Sequence, residues 1–286
     1  MNEPKMMRAK GDDIEIQLAV WEGKNPAVLC VHGLTANCRC WDDVAAHLAP
    51  ERRVLAVDLR GRGLSDKPAT GYSVAHHVRD LSCLMGDLGL GRVVLLGHSL
   101  GAYISMALAA EHPERVAGLI LIDGGGDLSR EQWDRIDGAI RPAVERLDKT
   151  FPSAADFLHL MKKAPFLQPW SAVIENYFRY DLVEVEDGVR SRINPDHIRE
   201  EMVNKRRKGS AELFGRLACP VLILRATVGI FIPDDILLPQ DAVDEMLEKI
   251  PDVRCVDLPG TNHYSVVFQP NADRDRAIRE FLAERI

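Results

Sequence analysis

A serine flanked by glycines, in the segment Gly97-His98-Ser99-Leu100-Gly101, is the part of the sequence that most directly suggests chemistry. The apolar run at residues 93–96 predicts a strand before it, and the apolar stretch from residue 100 predicts a helix after it. A serine at so tight a strand-to-helix turn has a strained backbone, and the glycines two residues to either side allow neighbouring chain to approach closely. The pattern predicts that Ser99 is an exposed nucleophile.

Short apolar runs that alternate with longer amphipathic segments surround this turn. Because that rhythm is typical of a mostly parallel sheet covered by helices on both faces, the predicted fold class is α/β. The predicted strands cover residues 14–20, 27–31, 53–57, 93–97, 116–122, 221–224 and 253–258. The predicted helices cover residues 41–48, 74–88, 100–111, 242–250 and 272–286. Only the first predicted strand alternates clearly between apolar and polar residues, which indicates the edge of a sheet.

The rhythm breaks between residues 127 and 210, where no strand is predicted. Prolines interrupt this segment, and its apolar residues recur at helical spacing, which predicts several short helices. Aromatic residues are concentrated here. Because open α/β sheets bind their ligands at the strand ends, a helical insertion between two core strands is expected to cover the ligand as a lid. An ordinary packing layer is the alternative.

Three further segments support a family resemblance. His32-Gly33-Leu34-Thr35 follows a predicted strand, the segment at residues 58–66 reads Asp-Leu-Arg-Gly-Arg-Gly-Leu-Ser-Asp, and Gly260-Thr261-Asn262-His263 follows the last predicted strand. With the serine turn, these segments resemble the α/β-hydrolase superfamily over nearly the whole chain. The resemblance implies an eight-stranded, mostly parallel sheet with helices on both faces. It also implies a core of residues 1–126 and 211–286, and a helical cap of residues 127–210 inserted after the sixth strand.

A serine hydroxyl needs a base, because it is a poor nucleophile near neutral pH. His263 is the best candidate, since its loop follows a strand and brings the imidazole over the sheet edge, as in the family. The resemblance implies that the backbone N–H groups of Leu34 and Leu100 bind the developing oxyanion. His32 and His98 adjoin these donors, where such histidines more often support loop geometry, although contact with substrate is an open alternative. Trp170 and Tyr177 of the insertion are candidates for substrate contact.

The third member of the triad departs from the commonest family pattern. Family members usually carry an acid in a Gly-x-x-Asp turn after the strand predicted at residues 221–224, but Gly229 occupies that position here. Some members place the acid after the preceding strand, which in this chain ends in Asp123 followed by three glycines. Asp123 is therefore the predicted acid, with Asp234 and Asp235 as rivals. A structural aspartate that caps a glycine turn is the plainer alternative for Asp123.

The predicted function is a cofactor-free serine hydrolase that forms an acyl-enzyme on Ser99 and cleaves a small carboxylic ester. Hydrolysis of a lactone, an amide or enamide, or a carbon–carbon bond stays open, and the resemblance also extends to cofactor-free dioxygenases. A serine at this turn argues against the family's dehalogenases and epoxide hydrolases, which use aspartate. A non-catalytic ligand-binding protein on the same fold is the alternative of another class.

The composition of the chain indicates which classes of binding partner are expected. The 286 residues carry 36 basic and 43 acidic side chains, a net charge of −7, which disfavours nucleic acid as a partner. No run approaches the roughly 18 apolar residues of a membrane span, and no signal peptide or metal-binding motif is readable. Six scattered cysteines indicate reduced thiols and a cytoplasmic location. The expected partner is a small-molecule acyl substrate, no cofactor or metal is expected, and the oligomeric state stays open.

Overall fold

The computed structural model describes residues 3–205, 209–232 and 235–286. Its strands are β1 (Lys5–Lys10), β2 (Glu15–Trp21), β3 (Val28–Val31), β4 (Val54–Val57), β5 (Val93–His98), β6 (Val116–Ile122), β7 (Leu182–Val185), β8 (Gly188–Ser191), β9 (Val221–Ala226) and β10 (Val253–Leu258). Its α-helices are α1 (Asp42–Leu48), α2 (Val74–Asp87), α3 (Leu100–Glu111), α4 (Arg130–Glu145), α5 (Ala154–Met161), α6 (Ala172–Asp181), α7 (Pro195–Lys205), α8 (Ala211–Phe214), α9 (Gln240–Lys249), α10 (Ser265–Phe268) and α11 (Ala272–Arg285).

An eight-stranded sheet forms the centre of the fold, in the order β1-β2-β4-β3-β5-β6-β9-β10. The pairs from β4 to β10 along this order are parallel, whereas β2 pairs antiparallel with both β1 and β4. The predicted fold class and the eight strands implied by the resemblance are confirmed. Because β3, β5, β6 and β9 run parallel and adjacent, their carboxyl ends meet at one edge of the sheet, where the chemically interesting residues lie.

Apolar side chains leave both faces of the central strands, which explains why these strands are nearly continuous hydrophobic runs. On one face, residues such as Leu95 and Leu121 pack against α2, α3 and α9. On the other, residues such as Leu96 and Ile122 pack against α1, α10 and α11. The sheet is therefore clamped between two helical layers, which keeps the strand ends in a fixed relation to each other.

The edge of the sheet differs from the sequence prediction. The first predicted strand is β2, and all its residues after Glu15 are buried. The true edge is β1, whose sequence Lys-Met-Met-Arg-Ala-Lys is mostly exposed. Charged residues are common on edge strands because they discourage pairing with other chains. In β1 they interrupt the apolar residues, so the segment does not form the apolar run by which the other strands are predicted.

The segment between β6 and β9 holds α4 to α8 and a small hairpin of β7 and β8. The expectation that it contains no strand is wrong. The two strands have four residues each, and Gly188 adopts a φ of +133°, which suits a tight connection. Phe151 extends the pairing through two backbone hydrogen bonds of 2.8 Å with Val189. Runs this short, interrupted by charged residues, do not stand out as strands.

Crossing a membrane requires a helix of sufficient length and apolarity. Within the described ranges, no helix is long and apolar enough to cross a membrane.

Candidate active site

Ser99 occupies the sharp turn between β5 and α3, with φ +54° and ψ −118°. The two flanking glycines are required by contact: a Cβ on Gly97 would lie 2.3 Å from the Gly101 carbonyl oxygen, and one on Gly101 would lie 1.9 Å from the Val31 carbonyl oxygen. A non-glycine residue at positive φ costs on the order of 1–3 kcal/mol and is kept only where the surroundings enforce it. The turn holds the Ser99 side chain partly exposed above the strand ends.

His263 and Asp123 form a buried hydrogen-bonded pair beside this serine. The His263 Nδ1–H donates to Asp123 Oδ2 over 2.7 Å, and both side chains are at least 93% buried. The other carboxylate oxygen of Asp123 accepts the Ala226 N–H at 3.2 Å, so the carboxylate is held from two sides. With Nδ1 protonated, the Nε2 of a neutral His263 is left as a proton acceptor.

The turn that carries Asp123 packs directly on the serine. Asp123 has a φ of +45°, and a Cβ on the following residue, Gly124, would lie 2.7 Å from the Ser99 carbonyl oxygen. Only glycine permits that approach. The strand ends of β5 and β6 thereby bring the serine and the acid to the same cavity.

The loop after β3 lies on the opposite side of the serine. A Cβ on Gly33 would lie 3.2 Å from the Ser99 Cβ, so the backbone passes close to the side chain. His32 donates from Nδ1 to the Gly33 carbonyl at 2.7 Å and accepts the Leu59 N–H at Nε2 at 3.0 Å. Because the C=O and N–H of a trans peptide point in opposite directions, holding the Gly33 carbonyl also aims the N–H of Leu34.

His32 therefore supports the loop. The alternative prediction, that His32 contacts substrate, does not agree with its position. The side chain is fully buried and does not line the cavity at Ser99. Burial lowers the pKa of His32 to about 3, so the ring is neutral, as its two hydrogen bonds require.

His98 both supports a loop and borders the cavity. Its Nε2–H donates to the His263 carbonyl at 3.0 Å, and the two imidazole rings lie with their centroids 4.4 Å apart and their planes tilted by 33°. Burial, with a smaller effect from His263, lowers the pKa of His98 well below its usual range. In this contact the proton of the neutral His98 ring lies on Nε2.

A cavity of about 100 Å³ joins these residues. Its polar floor is formed by Ser99, His98, Asp123 and His263, and the predicted oxyanion residues Leu34 and Leu100 border the same space. Its walls are mainly apolar or aromatic, and include Leu128, Trp133, Ile136, Ile140, Ala143, Tyr177, Met202, Leu237, Tyr264, Val267 and Phe268. The residues from Leu128 to Met202 in that list belong to the segment between β6 and β9, which covers the cavity on this side.

The two aromatic residues predicted to contact substrate lie in different places. Tyr177 lines the cavity, and its hydroxyl donates to the Thr35 carbonyl at 3.3 Å. Trp170 lies outside it: the indole stacks on Phe178 at 5.8 Å, under the Lys162 ammonium at 5.5 Å. Trp170 does not line the cavity, so its predicted substrate contact is corrected to a packing contact within the inserted segment.

Asp235, the rival acid that the structure describes, binds its own loop and not His263. Asp235 accepts hydrogen bonds from the N–H groups of Ile230, Phe231 and Ile232, and so closes its own loop. A Cβ on Gly229 would lie 1.9 Å from the Ile232 carbonyl oxygen, so the usual acid position admits only glycine in this loop. Asp234 lies outside the described residues.

Several wall residues carry no sequence signal. Leu237 follows the unusual loop after β9, and Val267 and Phe268 belong to α10. They are ordinary apolar residues whose place in the cavity depends on tertiary packing, so pattern reasoning does not single them out.

The fold and the serine turn agree with a comparison across known families. Residues 26–270 match the family described as alpha/beta hydrolase fold. The chain belongs to the α/β-hydrolase family. The predicted resemblance is confirmed.

Individual relatives of this α/β hydrolase are themselves hydrolases. It is 27% identical over 261 residues to the 2-(acetamidomethylene)succinate hydrolase of Mesorhizobium japonicum, covering 91% of this chain and 89% of that protein. A crystal structure of E-2-(acetamidomethylene)succinate hydrolase superposes with a TM-score of 0.86 at 25% identity, over 98% of this chain and 99% of the other. The 3-hydroxybutyrate-oligomer hydrolase of Cupriavidus necator is 30% identical over 86% of this chain and 85% of that protein.

A shorter match has higher identity. An uncharacterised protein of Mycobacterium tuberculosis is 42% identical over 104 residues, which is 36% of this chain and 30% of that protein. The match thus covers less than a third of the length of that mycobacterial relative.

Proposed function

We propose that the protein is a serine hydrolase that cleaves a small carboxylic ester through an acyl-enzyme on Ser99. The observation that supports this most strongly is the 2.7 Å hydrogen bond between His263 and Asp123 at the cavity that contains Ser99. A nucleophile, a base and a buried acid that orients the base are the parts that acyl transfer needs.

Each side chain has one role in this reaction. His263 Nε2 takes the Ser99 hydroxyl proton as the oxygen attacks the acyl carbon, and Asp123 stabilises the imidazolium that results. The N–H groups of Leu34 and Leu100 bind the oxyanion, an effect worth on the order of 10²–10³ in rate for one donor. His263 returns the proton to the leaving alkoxide. It then activates a water molecule, which releases the acid and regenerates Ser99.

The inserted segment, residues 127–210, serves as the cap in this proposal. It supplies much of the apolar wall of the cavity, including Trp133, Ile136 and Tyr177. Such walls favour an apolar acyl group and exclude water from the acylated serine. We place the enzyme in the cytoplasm, because its six cysteines are free and at least four are buried.

A second candidate is hydrolysis of a carbon–nitrogen bond in an enamide. The similarity to 2-(acetamidomethylene)succinate hydrolase in both sequence and structure favours it. The same triad performs both reactions, since an acyl carbon is attacked in each case.

Turnover of p-nitrophenyl acetate tests the proposal. We expect a burst of p-nitrophenol equal to the enzyme concentration, followed by steady release, and a fall in kcat on the order of 10⁶ in Ser99→Ala if serine and histidine act as a unit. Retention of more than a few per cent of activity by Ser99→Ala would refute the nucleophile. Absence of turnover with this ester and with an N-acyl enamine would favour a ligand-binding protein.

A further inference from the structure

A fully buried ionic cluster connects the cap to the loop beside Ser99. The Arg62 guanidinium donates from Nη2 to Glu201 Oε2 at 2.9 Å, and His77 Nε2 lies 2.7 Å from the same oxygen. All three side chains have no exposed surface. They come from separate parts of the chain, since Arg62 follows β4, His77 lies on α2 and Glu201 lies on α7 of the inserted segment.

Arg62 extends this cluster to the predicted oxyanion loop. Its Nε donates to the Leu34 carbonyl at 3.1 Å, and its Nη1 donates to the Arg60 carbonyl at 2.9 Å. With Glu201 on Nη2, every nitrogen of the guanidinium has an acceptor. The planar fork is therefore held in one orientation, which a flexible lysine ammonium does not reproduce.

Together, His32 and Arg62 hold two successive carbonyls of the loop. His32 binds the Gly33 carbonyl and Arg62 binds the Leu34 carbonyl, so the peptide groups on both sides of Leu34 are fixed by buried donors. The direction of the Leu34 N–H depends on both contacts. His32 belongs to the same loop, whereas Arg62 depends on a carboxylate supplied by the cap.

Energetics favour a positioning role for this cluster over a purely stabilising one. A buried ion pair is weak evidence for stability, because removing both charges from water costs about as much as their attraction returns. Burial opposes ionisation of Glu201, yet His77 and Arg62 lower its pKa to about 2, so the carboxylate is charged at neutral pH. The next residue on α7, Met202, lines the cavity at Ser99. One turn of α7 thus contacts both the substrate space and the support of the oxyanion loop.

We propose that Arg62 and Glu201 are positioning residues that hold the Leu34 N–H in the oxyanion hole, so that the docked cap helix α7 contributes to transition-state stabilisation. This inference rests on the proposed acyl transfer at Ser99. Neither residue touches the substrate in this account. The cap then acts on the rate of the chemical step as well as on the choice of substrate.

Glu201→Gln and Glu200→Gln form a matched pair of variants that tests this inference. Glu200 is the neighbouring residue on α7 and also docks the helix on the core, by accepting the N–H groups of Gly71 and Tyr72 at 3.0 Å, but it has no hydrogen bond to Arg62. For Glu201→Gln we expect kcat for p-nitrophenyl acetate to fall about 10- to 100-fold with little change in KM, a smaller loss than removal of a donor. Affinity for a short-chain trifluoromethyl ketone, whose adduct with serine carries an oxyanion, should fall by the same factor. Glu200→Gln should change neither.

Two further measurements separate positioning from misfolding. Hydrogen exchange of the peptide that contains residues 33–36 should accelerate in Glu201→Gln and not in Glu200→Gln. Arg62→Lys keeps a positive charge beside Glu201 but cannot bind Glu201 and Leu34 in the same geometry, so it should repeat the loss of kcat. It also replaces Glu201→Gln in the test if that variant does not fold.

The outcomes are distinct. Equal losses in the Glu200 and Glu201 variants, or full ketone affinity in Glu201→Gln and Arg62→Lys, would overturn the positioning role and leave the proposed hydrolase intact. A wild-type protein that turns over no ester, and binds no ketone at Ser99, would overturn the proposed function and the oxyanion role with it.

Discussion

Strands β6 and β9 are parallel neighbours that end at the same edge of the sheet, yet the aspartates after them behave differently. Asp123 follows β6 directly, and its carboxylate reaches out of the turn to His263 at 2.7 Å. Asp235 lies beyond the end of β9, and its carboxylate turns back to accept three backbone N–H groups of its own loop. Position near a strand end is therefore not enough to make an aspartate the partner of the base.

The difference lies in the local backbone. Asp123 adopts a φ of +45° and is followed by Gly124, which lets its turn pack on Ser99. The loop at residues 229–232 instead folds over Gly229, and the Asp235 carboxylate inside it accepts hydrogen bonds from backbone N–H groups that are buried or partly buried. The Asp123 carboxylate can bind His263 because its own turn does not use both oxygens, whereas both oxygens of Asp235 are used by backbone N–H groups of its loop.

The largest expected effect is loss of the acid itself. Asp123→Asn keeps the shape of the side chain, but its amide favours the wrong tautomer of His263, so kcat for an activated ester should fall on the order of 10⁴ near neutral pH. Asp235→Asn should leave kcat unchanged and lower stability. Both variants are assayed with p-nitrophenyl acetate after circular dichroism has shown that they are folded. An active Asp123→Asn with an inactive Asp235→Asn would reverse the comparison.

Moving the acid to the position that is common in the family should fail. A Cβ at position 229 would lie 1.9 Å from the Ile232 carbonyl oxygen and 2.2 Å from the Asp235 carboxylate. Adding Gly229→Asp to Asp123→Asn should therefore restore no activity and should lower the melting temperature further. Recovery of activity above that of Asp123→Asn would show that the β9 loop can adopt the usual arrangement.

The same distinction applies to two aromatic residues, Tyr177 and Trp170, of the segment between β6 and β9. Tyr177 lines both the cavity at Ser99 and an adjoining cavity of about 110 Å³, whose lining also includes Phe166 and Phe178. Tyr177→Ala should join the two spaces and raise kcat/KM for octanoyl relative to acetyl esters by at least about 10-fold, since even one accommodated methylene is worth roughly 1–3 kcal/mol. Trp170→Ala, outside the cavity, should leave that ratio unchanged. Equal shifts in both variants would contradict the placement of Trp170.

The smallest expected effect is on the pH dependence of stability and comes from His32, whose ring nitrogens bind the backbone at Gly33 and Leu59. Burial lowers the pKa of His32 in the folded protein to about 3, whereas the pKa in the unfolded chain is about 6.5. The stability that the neutral ring contributes is therefore fully present above pH 6.5 and is lost as the pH falls from 6.5 towards 3. Between these pH values, His32 should lower the free energy of unfolding by up to about 1.4 kcal/mol for each pH unit. Urea unfolding at pH 6.5 and 5 should show a shallower decline for His32→Gln, whose amide can replace both hydrogen bonds. Identical declines would exclude this role.

Much of the core was predictable because its signals are local. The apolar runs of β3, β5, β6 and β9 are buried on both faces, and Gly97 is dictated by a backbone contact with Gly101, four residues along the chain. The site prediction that joined Asp123 to His263 relied on the chain order of strands in a familiar topology, and the structure places these two side chains together.

The remaining features depend on contacts between distant residues. The strand β1 is hidden by its charges, the hairpin β7–β8 by its short length, and the packing role of Trp170 by the position of Phe178 and Lys162 around it. The Arg62–Glu201 contact joins residues 139 positions apart, one after β4 and one on α7. No periodicity or short motif encodes such a pair, so it emerges only from the folded structure.

The most direct test of the central claim, that Ser99, His263 and Asp123 form one catalytic unit, is labelling with a fluorophosphonate followed by peptide mass spectrometry. Activated serines react with this reagent, whereas an ordinary hydroxyl does not. We expect one label per chain, on Ser99, no label in Ser99→Ala, and much slower labelling in Asp123→Asn than in Asp235→Asn. A label on any other residue, or equal labelling rates in the two aspartate variants, would contradict the account.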